Sequence, residues 1–408
     1  MTRTTKTLNA IGLALLLSYA PLSAAAAKPV LTAFEHKQLM AAKDALMAEK
    51  LTDAGKILRA MQEKPLKPYA KALVHQLLGN IDLSRERYSA ALKQFKLAYA
   101  QNALPETEQL KLRHAIAQLY FSEEQWSEGI SEMQQWMAEA TQKAPTMIKA
   151  NDHLLIAQGY SQLKQWSALI SPIKKAISMR KKAPESWYQL QLGAHLRLKQ
   201  HKSSSRLLKT MIVLFPGKMT YWEQLTDVYQ RRKLDKQALA TLRSAYIDGL
   251  FTKERHYMLL GQMLVRQGAP QRAAEVLSEA LEKGQLKSGS KSLKLLSSAQ
   301  LLAREYNDAR PTLQKLLAIK NDTKTLRQLA QVEISLKRWD DAVRTIDRAL
   351  ARKPGNKGQL LVMRGIAQVN QHKLDDARRS FTQAKAEKAT ARSARNWLGY
   401  IDQIESNS

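Results

Sequence analysis

One short pattern recurs along all but the ends of this 408-residue chain. It is a small residue, a large apolar residue four positions on, and a small or apolar residue three beyond that. The clearest copies are Ala91-Phe95-Ala98, Ala238-Leu242-Ala245, Ala273-Leu277-Ala280, Ala342-Ile346-Ala349 and Ala377-Phe381-Ala384. Weaker copies start at Ala54 and run as Gly129-Met133-Trp136, Leu169-Ile173-Ala176, Ser203-Leu207-Thr210 and Ala309-Leu313-Leu316. The ten lead residues are 37, 38, 40, 34, 35, 35, 36, 33 and 35 positions apart. Spacings of four and three place the pattern on one face of a helix. A period of this length is one helix pair that cannot bury its apolar face alone, so neighbouring pairs must stack.

A second amphipathic helix precedes each lead residue. Twelve positions before the lead stand Gly79, Gly261, Ala330 and Gly365. Small residues opposite one another let two helix axes approach to about 8–10 Å. The large residue then fills the groove toward the next pair. Pro105, Pro145, Pro184, Pro216, Gly284 and Pro354 fall where the second helix should end. Trp187 and Trp222 stand at position four of their repeats, and Tyr120, Tyr160 and Tyr229 at position eleven. With this spacing and these residues the chain resembles the tetratricopeptide repeat family. The resemblance implies an all-α, right-handed superhelical solenoid of about ten helix-turn-helix repeats over 33–389. Residues 390–408, with Trp397, Leu398, Tyr400 and Ile404 on a helical period, read as a C-terminal capping helix and tail.

The N-terminus reads as an export signal. Arg3 and Lys6 precede an apolar run from Leu8 to Tyr19, and Ser23-Ala24-Ala25-Ala26-Ala27 follows Pro21. The run matches the 7–15 apolar residues of a secretory signal and is short of the roughly 20 needed to span a membrane. We therefore expect a signal peptide over 1–26, cleavage between Ser23 and Lys28, and a periplasmic chain with no transmembrane segment after processing. The formal charge is +29, from 65 Lys and Arg against 36 Asp and Glu, and falls to +27 without Arg3 and Lys6. Export removes nucleic acid from the expected partners and leaves proteins, anionic lipid or anionic polymer.

No catalytic constellation emerges. The chain has no Cys, which excludes disulfides, thiolate metal sites and a cysteine nucleophile. Its eight His are dispersed, and there is no His-Glu-x-x-His helix, Gly-x-Ser-x-Gly elbow or Walker loop. Ser-x-x-Lys occurs at Ser171–Lys174, Ser178–Lys181 and Ser288–Lys291 without its companion motifs. We expect no cofactor, no metal, and binding rather than catalysis. The Trp and Tyr residues read as repeat core, not as a stacking platform.

Charge is unevenly spread. Between Glu106 and Glu139 seven acids face Lys111 and Arg113, a net of −5. Between Asn151 and Met219 twelve bases face Asp152 and Glu185, a net of +10. Lys174, Lys175, Arg180, Lys181, Lys182, Arg197, Lys199, Lys202, Arg206 and Lys209 form a candidate basic patch, either a solvated face or a docking surface for an anionic partner.

In tetratricopeptide proteins the first helix of each repeat lines the groove that grips a peptide. Carried over by position, that rule selects Lys111, His114, Gln118 and Phe121 in the third repeat, and Tyr188 and His195 in the fifth. It selects Glu223, Asp227 and Arg231 in the sixth, Arg255, Met258, Gln262 and Arg266 in the seventh, and Lys324, Arg327 and Gln331 in the ninth. The Lys/Asn carboxylate clamp of chaperone-binding relatives is missing, with Gln76 and Asn80 in its place.

Several stretches resemble a narrower group. They are Glu185-Ser186-Trp187-Tyr188-Gln189-Leu190, Tyr221-Trp222-Glu223-Gln224-Leu225, Ser244-Ala245-Tyr246-Ile247-Asp248-Gly249-Leu250, Gly268-Ala269-Pro270 and Ala303-Arg304-Glu305-Tyr306. Together they are similar to the periplasmic tetratricopeptide proteins that accompany TonB–ExbB–ExbD systems, most closely over about 184–318. That likeness implies an accessory, non-enzymatic scaffold in TonB-dependent iron-complex transport, with TonB, ExbB or ExbD as protein partners. The alternative is an adaptor for cell-envelope or exopolysaccharide assembly that binds an anionic polymer.

Overall fold

The computed structural model describes residues 30–352 and 354–406. The export segment at 1–26, its cleavage region through Lys28, and Lys353 lie outside these. Among the described residues there are helices and turns and no strand. The chain divides into two compact units, one ending at Leu207 and one beginning at Leu208.

The first unit contains α1 (Ala33–Met47), α2 (Leu51–Gln62), α3 (Pro68–Ser84), α4 (Tyr88–Ala100), α5 (Glu106–Ser122), α6 (Trp126–Lys143), α7 (Ala150–Gln162), α8 (Trp166–Ser178) and α9 (Glu185–Arg197). A 3-10 turn, Pro145–Met147, leads into α7. The division falls within α10 (His201–Leu214). The second unit continues with α11 (Met219–Arg231), α12 (Asp235–Ile247), α13 (Glu254–Arg266), α14 (Pro270–Glu282), α15 (Ser290–Ala303) and α16 (Tyr306–Ile319). It closes with α17 (Thr323–Ser335), α18 (Trp339–Leu350), α19 (Lys357–Asn370), α20 (Leu374–Lys385) and α21 (Ala391–Ser406). Within each unit packing is between chain neighbours, and the pairs α13–α15, α17–α19 and α19–α21 also touch.

The repeated triplets are the core. Ala91, Phe95 and Ala98 are completely buried, as are Leu169, Ile173 and Ala176, and Ala377, Phe381 and Ala384. Opposite nine of the ten leads, on the odd-numbered helix, Ala42, Gly79, Ala117, Ala157, Thr226, Gly261, Ser297, Ala330 and Gly365 stand twelve positions earlier, all small, and α9 is the exception. A Cβ built on Gly79 would lie 2.3 Å from the Phe95 ring, and one on Gly365 2.5 Å from the Phe381 ring. The backbones are therefore as close as the rings allow, and only glycine fits.

One lead residue differs from the expectation. Ser203-Leu207-Thr210 is not the buried triplet of α10, because Ser203 is half-buried and Thr210 exposed. Ser204, Leu208 and Met211, one position on, are completely buried. The flanking intervals become 35 and 34.

The turn inside each pair obeys the same register. Glu49, Glu86, Glu124, Lys164, Lys199, Lys233, Gly268, Arg304, Lys337 and His372 each lie five positions before a lead residue and each adopt positive φ. The next residue donates its amide back across the turn, as Arg87 N does to Asp82 O at 2.8 Å and Arg338 N to Glu333 O at 2.8 Å. This is the Schellman arrangement, which satisfies carbonyls at the helix end. Only Gly268 enters the left-handed region without the cost of about 1–2 kcal/mol that a Cβ adds there. Lys199 belongs to this series only if the lead is Ser204, which independently fixes the α10 register.

The capping segment is helical as α21. Ala394 and Ile401 are completely buried, and the Trp397 ring stacks on Phe381 with centroids 5.6 Å apart. Arg378 holds Asp402 and Glu405 at 2.6 and 2.7 Å. Pro172 in α8 and Pro311 in α16 lie inside helices and interrupt the amide ladders there.

Candidate functional site

Polar side chains of several odd-numbered helices reach from one repeat to the next within each unit. Between α5 and α7, His114 Nε2 lies 2.7 Å from Asp152 Oδ1, and the imidazole stacks on Trp136 at 4.0 Å. Asp152 is buried and also accepts from Lys149 N at 2.7 Å, so it caps α7 while holding His114. Between α11 and α13, Glu223 Oε1 accepts from Arg255 Nε at 2.9 Å and lies 2.9 Å from His256 Nε2. Burial pushes the His256 imidazole below the ordinary histidine range, against the opposing pull of the Glu223 carboxylate. Asp227 and Arg231 satisfy each other at 2.7 Å, and Arg266 reaches Asp235 at 3.5 Å. Met258 is half-buried and Gln262 exposed.

In the second unit an open cavity lies between α17, α19 and the start of α21. It is a cavity of about 490 Å³ lined by Arg327, Gln328, Gln331, Gln359, Val362, Met363, Thr390 and Ser393. Val362 and Met363 supply the apolar floor, and three glutamines, a serine and one guanidinium supply the polar wall. Arg327 Nη1 donates to Gln359 Oε1 at 3.2 Å, tying α17 to α19. Apolar lining with a few convergent polar groups is the usual character of a binding site.

Of the groove residues expected from sequence, the structure brings Arg327 and Gln331 together at this cavity. Gln118 sits 3.5 Å from the His114 ring. Phe121 and His195 are corrections, because both are buried and line no open surface. The Phe121 ring fills the space left by two glycines, lying 3.1 Å from a Cβ built on Gly129 and 2.9 Å from one on Gly159. His195 Nδ1 lies 2.7 Å from Gln200 Oε1. Tyr188 is half-buried and packs against the core that contains Trp187. Its selection and that of His195 follow from the one-residue slip at α10. The corrected register selects Ser186, Gln189 and Gly193, all exposed. Lining residues that the sequence reading missed include Gln359 and Val362, which are positions two and five of the tenth repeat. The same positional rule finds them when it is carried one repeat further.

The ten basic residues lie on α8, α9, α10 and the turns between them. All are exposed. Arg180 stacks over Trp187 at 5.3 Å and donates to Asn151 Oδ1 at 3.3 Å, which puts the Arg180-Lys181-Lys182 run at the N-terminal end of α9. Arg197 stacks over Trp166 at 5.5 Å, at the C-terminal end of α9, beside Lys199 and Lys202. Ten residues of helix separate Trp187 from Arg197, a rise of about 15 Å. Lys209, in the second unit, stands 6.0 Å from the Tyr229 ring. Apart from Arg206, none of the ten has a carboxylate within ion-pair distance among the described residues. The acids of 106–139 are partly neutralised, since Arg113 binds Glu132 and Glu139, and Lys143 binds Glu106 and Glu139.

Residues 258–324, reaching from α13 into α17, match the tetratricopeptide repeat family. The helix pairs of that segment are tetratricopeptide repeats, and the positive-φ turn and buried triplet seen there recur in the other pairs. Among solved structures the array is similar to a tetratricopeptide repeat protein from Parabacteroides merdae, with 18% identity over 65% of this chain and 98% of that one and a TM-score of 0.35. It is similar to MamA at 19% identity over 43% of this chain and 93% of that one, TM-score 0.36. The complex of Naa15 and Naa10 bound to HypK contains a chain with 11% identity, covering 92% of this chain and 66% of its own length, TM-score 0.44. No curated protein matches. Among the described residues no group of three or more His, Asp or Glu is placed to hold a metal ion, and no helix is long and apolar enough to cross a membrane.

Proposed function

We propose that this tetratricopeptide array is a non-enzymatic scaffold whose odd-helix face holds an extended segment of a protein partner. The observation that carries the reading is the cavity between α17, α19 and α21, where glutamine amides surround an apolar floor. Side-chain amides both donate and accept, so they can pair with the peptide groups of any extended chain while the floor takes a side chain. The signal-like order of Arg3, Lys6, the apolar run and Ala24-Ala25-Ala26-Ala27 supports a periplasmic setting. The likeness over 184–318 supports a partner within a TonB–ExbB–ExbD apparatus for iron-complex uptake. The experiment places a photo-crosslinking residue at Gln331, which is exposed, in cells whose chromosomal copy is deleted. Crosslinking to a transducer component, with poor growth of the deletion strain on iron complexes, is the expected result. Normal growth under every iron-limited condition with no such crosslink refutes the TonB assignment.

A second reading rests on the cations that lack carboxylate partners. The run Arg180-Lys181-Lys182 with Lys174 and Lys175 would suit an anionic envelope polymer. Reversing Arg180, Lys181 and Lys182 to Glu should then abolish retention on a polygalacturonate column at low salt. At 1 M salt, where the Debye length is about 3 Å, the parent should elute with the variant. Retention that ignores both salt and charge reversal refutes this reading.

A further inference from the structure

The charge around the α17–α19–α21 cavity narrows what it can hold. Its lining contains one cation, Arg327, and no carboxylate. Lys324 lies one turn before Arg327 on the same face of α17 and is exposed. Neither has an acidic partner among the described residues, since Arg327 meets only the neutral Gln359 amide. Several neighbouring arginines are paired, whereas Arg392 and Arg395 on α21 share with Arg327 the lack of an ion pair among the described residues. Arg310, Arg338 and Arg344 all meet Asp341, Arg364 meets Asp347, and Arg379 meets Asp376.

The acids of the three cavity helices are accounted for elsewhere. α19 has none. Glu333, the single acid of α17, is buried, with its Oε1 3.7 Å from Arg310 Nε. Asp402 and Glu405 of α21 are both held by Arg378 on α20. The lining therefore sets one guanidinium over the apolar Val362 and Met363 with no carboxylate of its own, and Glu387, exposed in the turn before α21 with its side chain against Gly358, is the acid that stands beside it.

We infer that the cavity recognises an acidic extended peptide, in which a carboxylate meets Arg327, a neighbouring apolar side chain rests on Val362 and Met363, and the Gln331 and Gln359 amides pair with the backbone. The inference rests on the peptide-scaffold reading and adds the chemistry of the partner. Neutral amides alone would accept any sequence, and the guanidinium selects because it can bind a carboxylate through two parallel bonds. A basic segment would meet two cations that hold no ion pair, which is the repulsive half of the specificity.

The test uses the full chain and fluorescein-labelled peptides of about eight residues, long enough to extend across three helices. One alternates Asp with Leu, a second alternates Asn with Leu, and a third alternates Lys with Leu. Fluorescence anisotropy should show the Asp peptide binding about tenfold more tightly than the Asn peptide, with the Lys peptide weakest. Arg327→Gln, a half-buried helix-surface change checked for an unaltered thermal melt, should erase the preference for Asp over Asn. The triple reversal at Arg180, Lys181 and Lys182 is the control for the general positive charge and should leave the preference in place. Equal binding of the Asp and Asn peptides, or loss of preference in the triple reversal but not in Arg327→Gln, overturns the acidic-peptide inference alone. Failure of all three peptides to bind overturns both it and the peptide-scaffold reading. Self-association of the chain that Arg327→Gln abolishes would assign the cavity to a second copy and also overturn the inference.

Discussion

Gly79→Leu should lower the stability of the first unit by about 3 kcal/mol or more, whereas Gly193→Leu should raise it by up to about 1 kcal/mol. Both are helical glycines, in α3 and α9, so the backbone benefit of adding a side chain is the same. Their surroundings are opposite. The Cβ at Gly79 meets the Phe95 ring at 2.3 Å, and Phe95 is completely buried, so the ring has nowhere to move. The Cβ at Gly193 meets nothing within 4 Å. Urea denaturation followed by circular dichroism distinguishes them. If Gly79→Leu unfolds at the same midpoint as the parent, α3 and α4 are not in the close contact described. The Gly365–Phe381 pair should behave like Gly79–Phe95 in the second unit.

The second large effect is expected from removing α21. A chain ending at Lys388 loses Ile401 and Ala394, both completely buried, and strips Trp397 from the face of Phe381. Burying Ile401 is worth roughly 1.5–3 kcal/mol, and re-exposing Phe381 costs a similar amount, so a total near 3–6 kcal/mol is expected. The ion pairs of Arg378 with Asp402 and Glu405 are exposed and contribute about 0–1 kcal/mol each, so packing dominates. Because packing in each unit runs between neighbours, the loss should appear first in α19 and α20 as faster amide exchange. Unchanged protection there would mean that α21 does not act as a cap. The double substitution Trp397→Ala with Ile401→Asp keeps the chain length and should reproduce the defect.

Much of this architecture is legible in the residues because side-chain volume is a local property. The lead residue must be small and the fourth beyond it large for one helix to seat against the next. In nine of ten repeats the triplet read from sequence is the buried one. The exception has an identifiable cause. Residues 203–205 are three serines and residues 207 and 208 two leucines, so both registers satisfy the pattern equally. The slip then moved the surface selection in α9 onto Tyr188 and His195. Phe121 went astray for another reason, since the hole that receives it is made by Gly129 on α6 and Gly159 on α7, which positional counting along α5 does not include.

By itself, then, the sequence determined the helix pairing, its period, where the pairs end, and a glycine or other small residue at nearly every close approach. These follow from volumes and breakers that act within a few turns of their own position. Only the tertiary structure decided which serine of α10 is buried, because that depends on which one the Lys199 turn delivers to the partner helix. It also placed Arg180 and Arg197 at opposite ends of α9. It formed the cavity at Arg327 and Gln331, and it left Arg327 there with a neutral amide rather than an ion pair. Charge counted along a chain takes no account of which side chains meet across helices, and pairing between helices decides which charges remain available.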